Sequence, residues 1–372
     1  MGSQILITGG AGFIGSHLAD TLLAAGHRVR ALDSLAPQVH GEQAARPAYL
    51  DPRVDLLVGD VRDRAAVRRA LAGVDTVFHL AAAVGVGQSM YEIAHYTAAN
   101  NLGTAVLLEA LVERPVGRLV VASSMSVYGE GAYHSANGDP RTAPERTLAQ
   151  LKAGDWDPRG PDGKPLVPVP TPETKAPSLA SVYALSKYDQ ERMCLVVGRA
   201  YGIATTALRL FNVYGPRQAL SNPYTGVLAI FGSRLLNGNR PSVYEDGRQR
   251  RDFVNVRDVA TAFRLAMDRP EADGMVLNVG SGHAYTIIEI AERVAAATGR
   301  ADLRPLVTCK YRVGDIRHCF ADIGEAQRVL GYRPAVPLEA GLAELADWLQ
   351  NQEAIDRVDE AGAELAARGL TA

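Results

Sequence analysis

Cysteine, charge of one sign and long apolar runs are what this sequence has least of. Cys194, Cys309 and Cys319 are the only cysteines in 372 residues, widely spaced and odd in number. None stands close to another cysteine or to a pair of histidines, so neither a disulfide framework nor a zinc site is expected. A reduced, cytoplasmic compartment fits that usage. The net charge is −2, whereas a binder of nucleic acid or anionic membrane is usually basic overall. A local basic pocket for an anionic small molecule stays open. The opening MGSQILITGG has no basic flank and too short an apolar run for a signal peptide or a membrane span. Leu6 stands where a myristoylation motif wants Ser or Thr. No internal repeat is present.

What is there is ordinary for a globular protein: 47% hydrophobic and 22% charged residues. The length exceeds the usual single domain, so one large domain or two intimately joined ones are expected. Through residue 130, short apolar runs alternate with helical patterns, the signature of βαβ units and a parallel sheet. QILIT (4–8), RVRALD (28–33), VDLLVGD (54–60), DTVFHLAA (75–82) and RLVVASS (118–124) read as five strands. A helix follows from Ile14 to Ala25, stopped by Gly26. A long amphipathic helix is expected over 182–201, ending at Gly202, and a sixth strand within 205–215.

Between Tyr128 and Tyr183 the pattern lapses. The stretch 129–178 holds nine of the twenty prolines. A loop of this length is usually a lid, a binding loop or a surface decoration. Its ends flank two candidate reactive segments, which favours an active-site cover with Tyr133, His134 and Trp156 as contacts. The tail 351–372 is charged and Ala-rich, and reads as a peripheral helix.

TGGAGFIG (8–15) places Gly9, Gly12 and Gly15 after a strand and at the opening of a helix. The first glycine allows a tight turn, the second lets backbone approach a pyrophosphate, and the third allows close helix–strand packing. Phe13 and Ile14 carry the turn into the helix, whose free N–H groups suit an anion. Asp33, followed by Ser34, closes the second strand at the right distance to hold a ribose diol and repel a 2′-phosphate, so NAD is expected over NADP. Asp60 with the Val61 amide is either an adenine contact or a strand-end cap. Leu80, Ala81 and Ala82 end the fourth strand and leave room for a cofactor. Asn101 is either a cofactor contact or a helix cap.

Tyr183 and Lys187 form Y-x-x-x-K, one face of a helix. A phenol is a poor base at neutral pH; a neighbouring ammonium and a cationic nicotinamide would both favour its ionised form. SSMSVYG (123–129) adds hydroxyls at the end of the fifth strand.

With these motifs the chain resembles the extended short-chain dehydrogenase/reductases, within them the nucleotide-sugar epimerases and dehydratases. The resemblance runs over about residues 4–350, carried by TGGAGFIG, DVRD, HLAA, NNLGT, SSMSVYG, YALSK, RLFNVYGPRQ, RRDFVNVRDV and YRVGDIRH. SSMSVYGEG, FNVYGPRQALSNPYTGV and the long insertion look most like the dTDP-L-rhamnose 4-epimerase group. The resemblance implies a catalytic Ser124, Tyr183 and Lys187, and a homodimer through the Tyr183 helix with Met193, Leu195 and Val196 on its face. In dehydratases of this family an Asp-Glu pair follows the catalytic Ser or Thr. Here Met125 and Ser126 follow, and neither titrates usefully near neutral pH, so hydride and proton transfer are expected without elimination. Ser126 is kept as a substrate contact or weak proton relay. By the same resemblance Asn212, Arg251 and Arg312 meet the sugar nucleotide's phosphates or sugar, and Asp315 its ribose.

The expected fold is a doubly wound Rossmann α/β sheet with a smaller α/β substrate domain. NAD binding is assigned to 1–209 with 248–275 returning to it, and nucleotide-sugar binding to 210–247 and 276–350. The expected activity is NAD-dependent 4-epimerization of a dTDP- or UDP-sugar through a 4-keto intermediate. The rivals are a dehydratase or net oxidoreductase on the same scaffold and, outside enzymes, an NAD-sensing regulator, which would tend to lose the Tyr or Lys kept here.

Overall fold

The computed structural model describes residues 2–42, 45–224, 226–312 and 314–371. Seven strands form the central sheet: β1 (Gln4–Thr8), β2 (Arg28–Asp33), β3 (Asp55–Val58), β4 (Thr76–His79), β5 (Arg118–Ser124), β6 (Ala204–Leu210) and β7 (Val276–Val279). All pair in parallel, in the order β3-β2-β1-β4-β5-β6-β7. Successive strand residues point to opposite faces, and the two cores follow that alternation. Ile5, Ile7, Phe78, Val120 and Leu208 fall in one apolar cluster. Leu6, Val77, Leu119, Val121 and Ala207 fall in the other. A sheet buried on both faces needs helices on both sides. The helices α1 (Phe13–Ala24) and α4 (Val256–Asp268) pack together over the first face, while α2 (Gly103–Glu113) and α3 (Val182–Tyr201) cover the second.

β7 corrects the expected division of the chain. Val276–Val279 pairs with Ala207–Leu210, so the smaller lobe resumes after this strand rather than at residue 276, and it also takes in residues 250–255, assigned above to the NAD-binding part. That lobe has its own core, built from Tyr214, Phe231, Val243, Phe253, Ile290 and Leu345 among others. Short pairings knit it: Asn212–Tyr214 with Phe253–Asn255, and Arg250–Arg251 with both Tyr285–Thr286 and His318–Cys319.

The Pro-rich insertion is an ordered subdomain. Ala132–His134 pairs antiparallel with Pro140–Arg141 and with Val167–Val169. It seats on the smaller lobe through charged side chains. Arg146 bonds Glu245 at 2.8 Å, and Arg317 bonds Glu245 at 3.0 Å, Asp246 at 2.6 Å and Asp157 at 2.8 Å. Tyr133, expected as a substrate contact, is instead buried and donates to Glu130 Oε2 at 2.6 Å. Trp156 lies against Tyr311 with ring centroids 6.3 Å apart.

The tail is less peripheral than its composition suggests. Its helix, Val358–Ala367, buries Ala361 and Leu365. Glu364 accepts hydrogen bonds from Tyr91 at 3.2 Å and Tyr224 at 3.3 Å, and Arg368 lies 4.3 Å from the centroid of the Tyr91 ring. Beyond the helix, Thr371 bridges to Arg312. The tail therefore ties the segment beside β4 to the smaller lobe.

Candidate active site

The glycine turn sits where the strand order reverses, between β1 and β4, the crevice in which open α/β sheets bind ligands. Gly9 has φ +71°. A Cβ on Gly9 would lie 2.9 Å from Ala81 N, and one on Gly15 would lie 2.3 Å from Gly9 O. Gly12 is different: its Cβ would meet nothing nearer than 3.4 Å, which leaves that face of the turn open. Asp33 is buried at the end of β2, where Oδ2 accepts from Ala11 N and Oδ1 from Leu35 N, each at 2.9 Å. His40 Nε2 stands 3.6 Å from the same carboxylate; nothing in the local sequence announces it. Arg30 is committed to Asp55 at 2.7 Å, away from the ribose position.

Just past β3, Asp60 is held by its neighbour two residues on. Asp60 accepts from Arg62 N at 2.8 Å and pairs with the Arg62 guanidinium at 2.5 Å. Those bonds hold its carboxyl below the usual range. Val61 is buried in the core. Leu80, Ala81 and Ala82 are partly exposed at the crevice.

Residues Thr97–Leu102 form a π-helical turn. It swings Asn100, not Asn101, inward. Asn100 Oδ1 accepts from Ala83 N at 2.7 Å, and its Nδ2 donates to Ser186 Oγ at 2.8 Å. Asn101 Nδ2 meets Asp189 at 2.5 Å, while its Oδ1 is buried without a partner among the described residues. Sequence spacing alone cannot separate these neighbours, because the wider turn rotates both.

Helix α3 starts at Ser181, whose Oγ accepts from Ala184 N at 3.1 Å, and closes at Gly202 with φ +68°. A buried clamp holds it to the sheet: Glu191 bonds Arg209 of β6 at 2.7 Å and accepts from Ser123 of β5 at 2.7 Å. This clamp brings Tyr183 to the end of β5, beside Ser124. Burial raises the Tyr183 phenol above its ordinary range, opposed by its hydrogen bond with Ser124. The expected lowering by Lys187 is not what the structure has. Lys187 Nζ donates to Gln190 Oε1 at 2.6 Å, and burial lowers its pKa to about 8. Ser124 Oγ accepts from Ser126 N at 3.2 Å and from Ser126 Oγ at 2.9 Å. Met125 and Ser126 are both buried.

The sugar-nucleotide candidates converge only in part. Arg251 gives its guanidinium to the main-chain oxygens of Arg250 at 2.9 Å and Arg317 at 3.0 Å, and lies 3.9 Å from Asp315. Asn212 Oδ1 and Arg312 Nε are buried with no partner among the described residues. Unpaired buried polar atoms are costly, and these two suit a polar ligand. The Arg312 guanidinium lies 4.8 Å from the centroid of the Tyr244 ring.

The family model for the NAD dependent epimerase/dehydratase family matches residues 5–150 and 160–280. The chain belongs to that family. A dTDP-L-rhamnose 4-epimerase of Burkholderia thailandensis is 38% identical over 360 residues, covering 94% of this chain and 96% of that protein. A dTDP-glucose 4,6-dehydratase of an Actinoplanes species is 31% identical, covering 93% of this chain and 97% of the other. Among solved structures, the UDP-glucose 4-epimerase of Thermus thermophilus in complex with NAD aligns with TM-score 0.74 and 31% identity, over 94% of this chain and all of that one. NAD is the cofactor of this family, and the residues present fit it: a glycine turn with one open face, an acid at the end of β2 and small residues at the end of β4. No helix among the described residues is long and apolar enough to cross a membrane.

Proposed function

We propose that this chain interconverts the C4 epimers of a nucleoside-diphosphate sugar, with dTDP-L-rhamnose the first substrate to test, given the 38% identical relative. One observation carries the choice of epimerization over dehydration. The two positions after Ser124 hold Met125 and Ser126, both buried, with the Ser126 hydroxyl committed to Ser124. An elimination needs an acid and a base beside the sugar, and these positions supply neither.

In this reading Tyr183 takes the proton of the sugar C4 hydroxyl and later returns it. Ser124 donates a hydrogen bond to the same oxygen as it gains negative character. Lys187 holds a ribose hydroxyl of the cofactor and keeps a positive charge near Tyr183. Bound NAD supplies the reversible removal of hydride from C4. The 4-keto sugar turns over inside the cleft and presents its other face, so one Tyr183 serves both directions. Gly9, Gly12 and Asp33 hold the dinucleotide; Asn212, Arg251, Arg312 and Asp315 hold the sugar nucleotide.

NMR of a panel of dTDP- and UDP-sugars incubated with the protein tests this. Epimer formation without loss of water, and with no net change in NADH absorbance, is expected. Formation of a 4-keto-6-deoxy sugar from a substrate that carries a C6 hydroxyl, such as dTDP-glucose, would reassign the chain as a dehydratase.

A homodimer in the cytoplasm is part of the proposal, with a revised face. Leu195 packs inward and Met193 is partly covered, whereas Leu185 and Val196 on α3 and Leu102 on the preceding turn are exposed. Light scattering of the purified protein should give twice the chain mass, and Val196→Glu should halve it.

A further inference from the structure

The helical turn after Lys187 buries a second polar side chain, for which the reaction has no assigned task. Gln190 is fully buried. Its Oε1 accepts from Lys187 Nζ at 2.6 Å, and its Nε2 donates to Thr104 Oγ1 at 2.8 Å. The neighbours fix which end of the amide faces which partner. The Thr104 hydroxyl donates to the main-chain oxygen of Asn100 at 2.6 Å, so the Thr104 oxygen can only accept from the rest. It accepts from Gln190 Nε2 and from His79 Nε2, each at 2.8 Å. His79 thereby carries its proton on Nε2, and its Nδ1 accepts from the Thr8 hydroxyl at 2.8 Å. Thr8 Oγ1 in turn accepts from Ala81 N at 3.3 Å. Turning the Gln190 amide over would set its NH2 against the ammonium and its oxygen against the lone pairs of Thr104.

We infer that Gln190 is a positioning residue for Lys187, a locked neutral acceptor that keeps the buried ammonium charged and in place without cancelling its charge. A lysine at that depth with no acceptor loses its proton easily, because burial penalises the charged form. A carboxylate in the same place would hold the proton but cancel the positive charge at that depth. A glutamine of fixed orientation does the first without the second.

The other titratable and charged groups around Lys187 do not substitute for it. On its own helix Cys194 and Glu191 both favour the charged form from a distance, but neither bonds the ammonium, and Glu191 is committed to Arg209 of β6 and Ser123 of β5. Asp189, further out, is bonded to Asn101. From β4 comes His79, which burial holds neutral with its pKa lowered to about 3.

The role given to Lys187 rests on the proposed function; its contact with Gln190 does not. A direct titration separates the two. The chain has five lysines, so NMR of protein isotope-labelled at lysine Cε yields few resonances, and Lys187→Met assigns the one of interest. The titration is run on the protein as purified and on Gln190→Met and Gln190→Glu forms. Relative to the parent, the Lys187 midpoint should fall by about one pH unit in the Met form and rise by about one in the Glu form. The alkaline limb of kcat should move in the same two directions, with KM for the sugar nucleotide within about twofold. One midpoint in all three proteins, or a shift of the same sign in both variants, overturns the inference. The NMR arm needs no substrate, so failure of the epimerase reading would show separately, in the panel of sugars.

Discussion

Ser126 stands behind Ser124 as a double donor, with its amide and its hydroxyl both directed at Ser124 Oγ, at 3.2 and 2.9 Å. Two donors fill the lone pairs of that oxygen and leave its own proton to point outward. Ser126, expected as a substrate contact or weak proton relay, bonds Ser124 in this structure. Ser126→Ala should lower kcat about fivefold, the effect of one neutral hydrogen bond worth about 1 kcal/mol. Ser124→Ala should cost more, since it removes the donor to the sugar oxygen itself. Steady-state rates of the two variants that rank in the opposite order would reassign Ser126 to the substrate.

Tyr183→Phe keeps the ring, including its edge contact with Tyr96 at 6.4 Å, and removes the proton acceptor. We expect a fall in kcat of at least ~10²-fold with nearly unchanged binding of the sugar nucleotide. Isothermal titration calorimetry and turnover assays on one preparation check both halves. Near-normal turnover would remove Tyr183 from its role.

Asp33 accepts from Ala11 N, within the glycine turn itself, so its charge lies against the place where a ribose 2′-phosphate would enter. NAD should bind more tightly than NADP, and Asp33→Asn should narrow the gap by weakening NAD while relieving repulsion of NADP. Competitive titration of the two dinucleotides measures this. Tighter NADP binding by the parent would contradict it.

The insertion should behave as a structural clamp as well as a cover. Arg146 and Glu245 are both almost fully buried, at 4% and 1% side-chain exposure. Removing one partner of a buried pair leaves the other charge unanswered, at a cost of roughly 3 kcal/mol; here Arg317 still faces Glu245 and offsets part of that. Arg146→Met should therefore lower the unfolding midpoint in denaturant clearly, whereas Lys164→Met, on the exposed rim of the same insertion, should not. Replacing residues 132–172 by a short Gly/Ser connection should preserve NAD binding, raise the sugar-nucleotide KM and increase escape of keto-sugar. If the shortened protein turns over as fast and as cleanly as the parent, the insertion neither covers nor clamps the site.

How much of this was legible in the sequence depended on how local each signal is. Buried strands read as apolar runs, and six of the seven central strands fall where those runs lie. The glycine turn, Asp33 and the Tyr183–Lys187 pair each declare themselves within a few residues. VLNV of β7 did not, because four residues at a sheet edge look like any short apolar run, and their partner in β6 lies some seventy residues earlier. Asn100 was hidden by the wider π turn, and Gln190 because its partners come from separate elements. Arg317 looks from sequence like a surface cation; its burial depends on Asp157, Glu245 and Asp246 arriving from elsewhere. The tail's role depends on Tyr91 and Tyr224, neither near it in the chain.

Thr171 N donates to Phe320 O at 2.8 Å, Asp322 N to Thr171 O at 3.1 Å, and Gly131 N to His318 O at 2.8 Å. The main-chain docking partners of the insertion thus lie about 150 to 190 positions further along. At ~5–20 residues per second of synthesis, the ribosome delivers Ser124 and Tyr183 on the order of ten seconds before those partners exist. Helix α3 can pack onto β5 and β6 in that interval, but the segment joining the two reactive residues lacks its main-chain partners. A nascent chain paused short of residue 315 already has Glu245 for Arg146 but lacks the main-chain partners of Gly131 and Thr171. Residues 318–322 thus close a segment translated well before them.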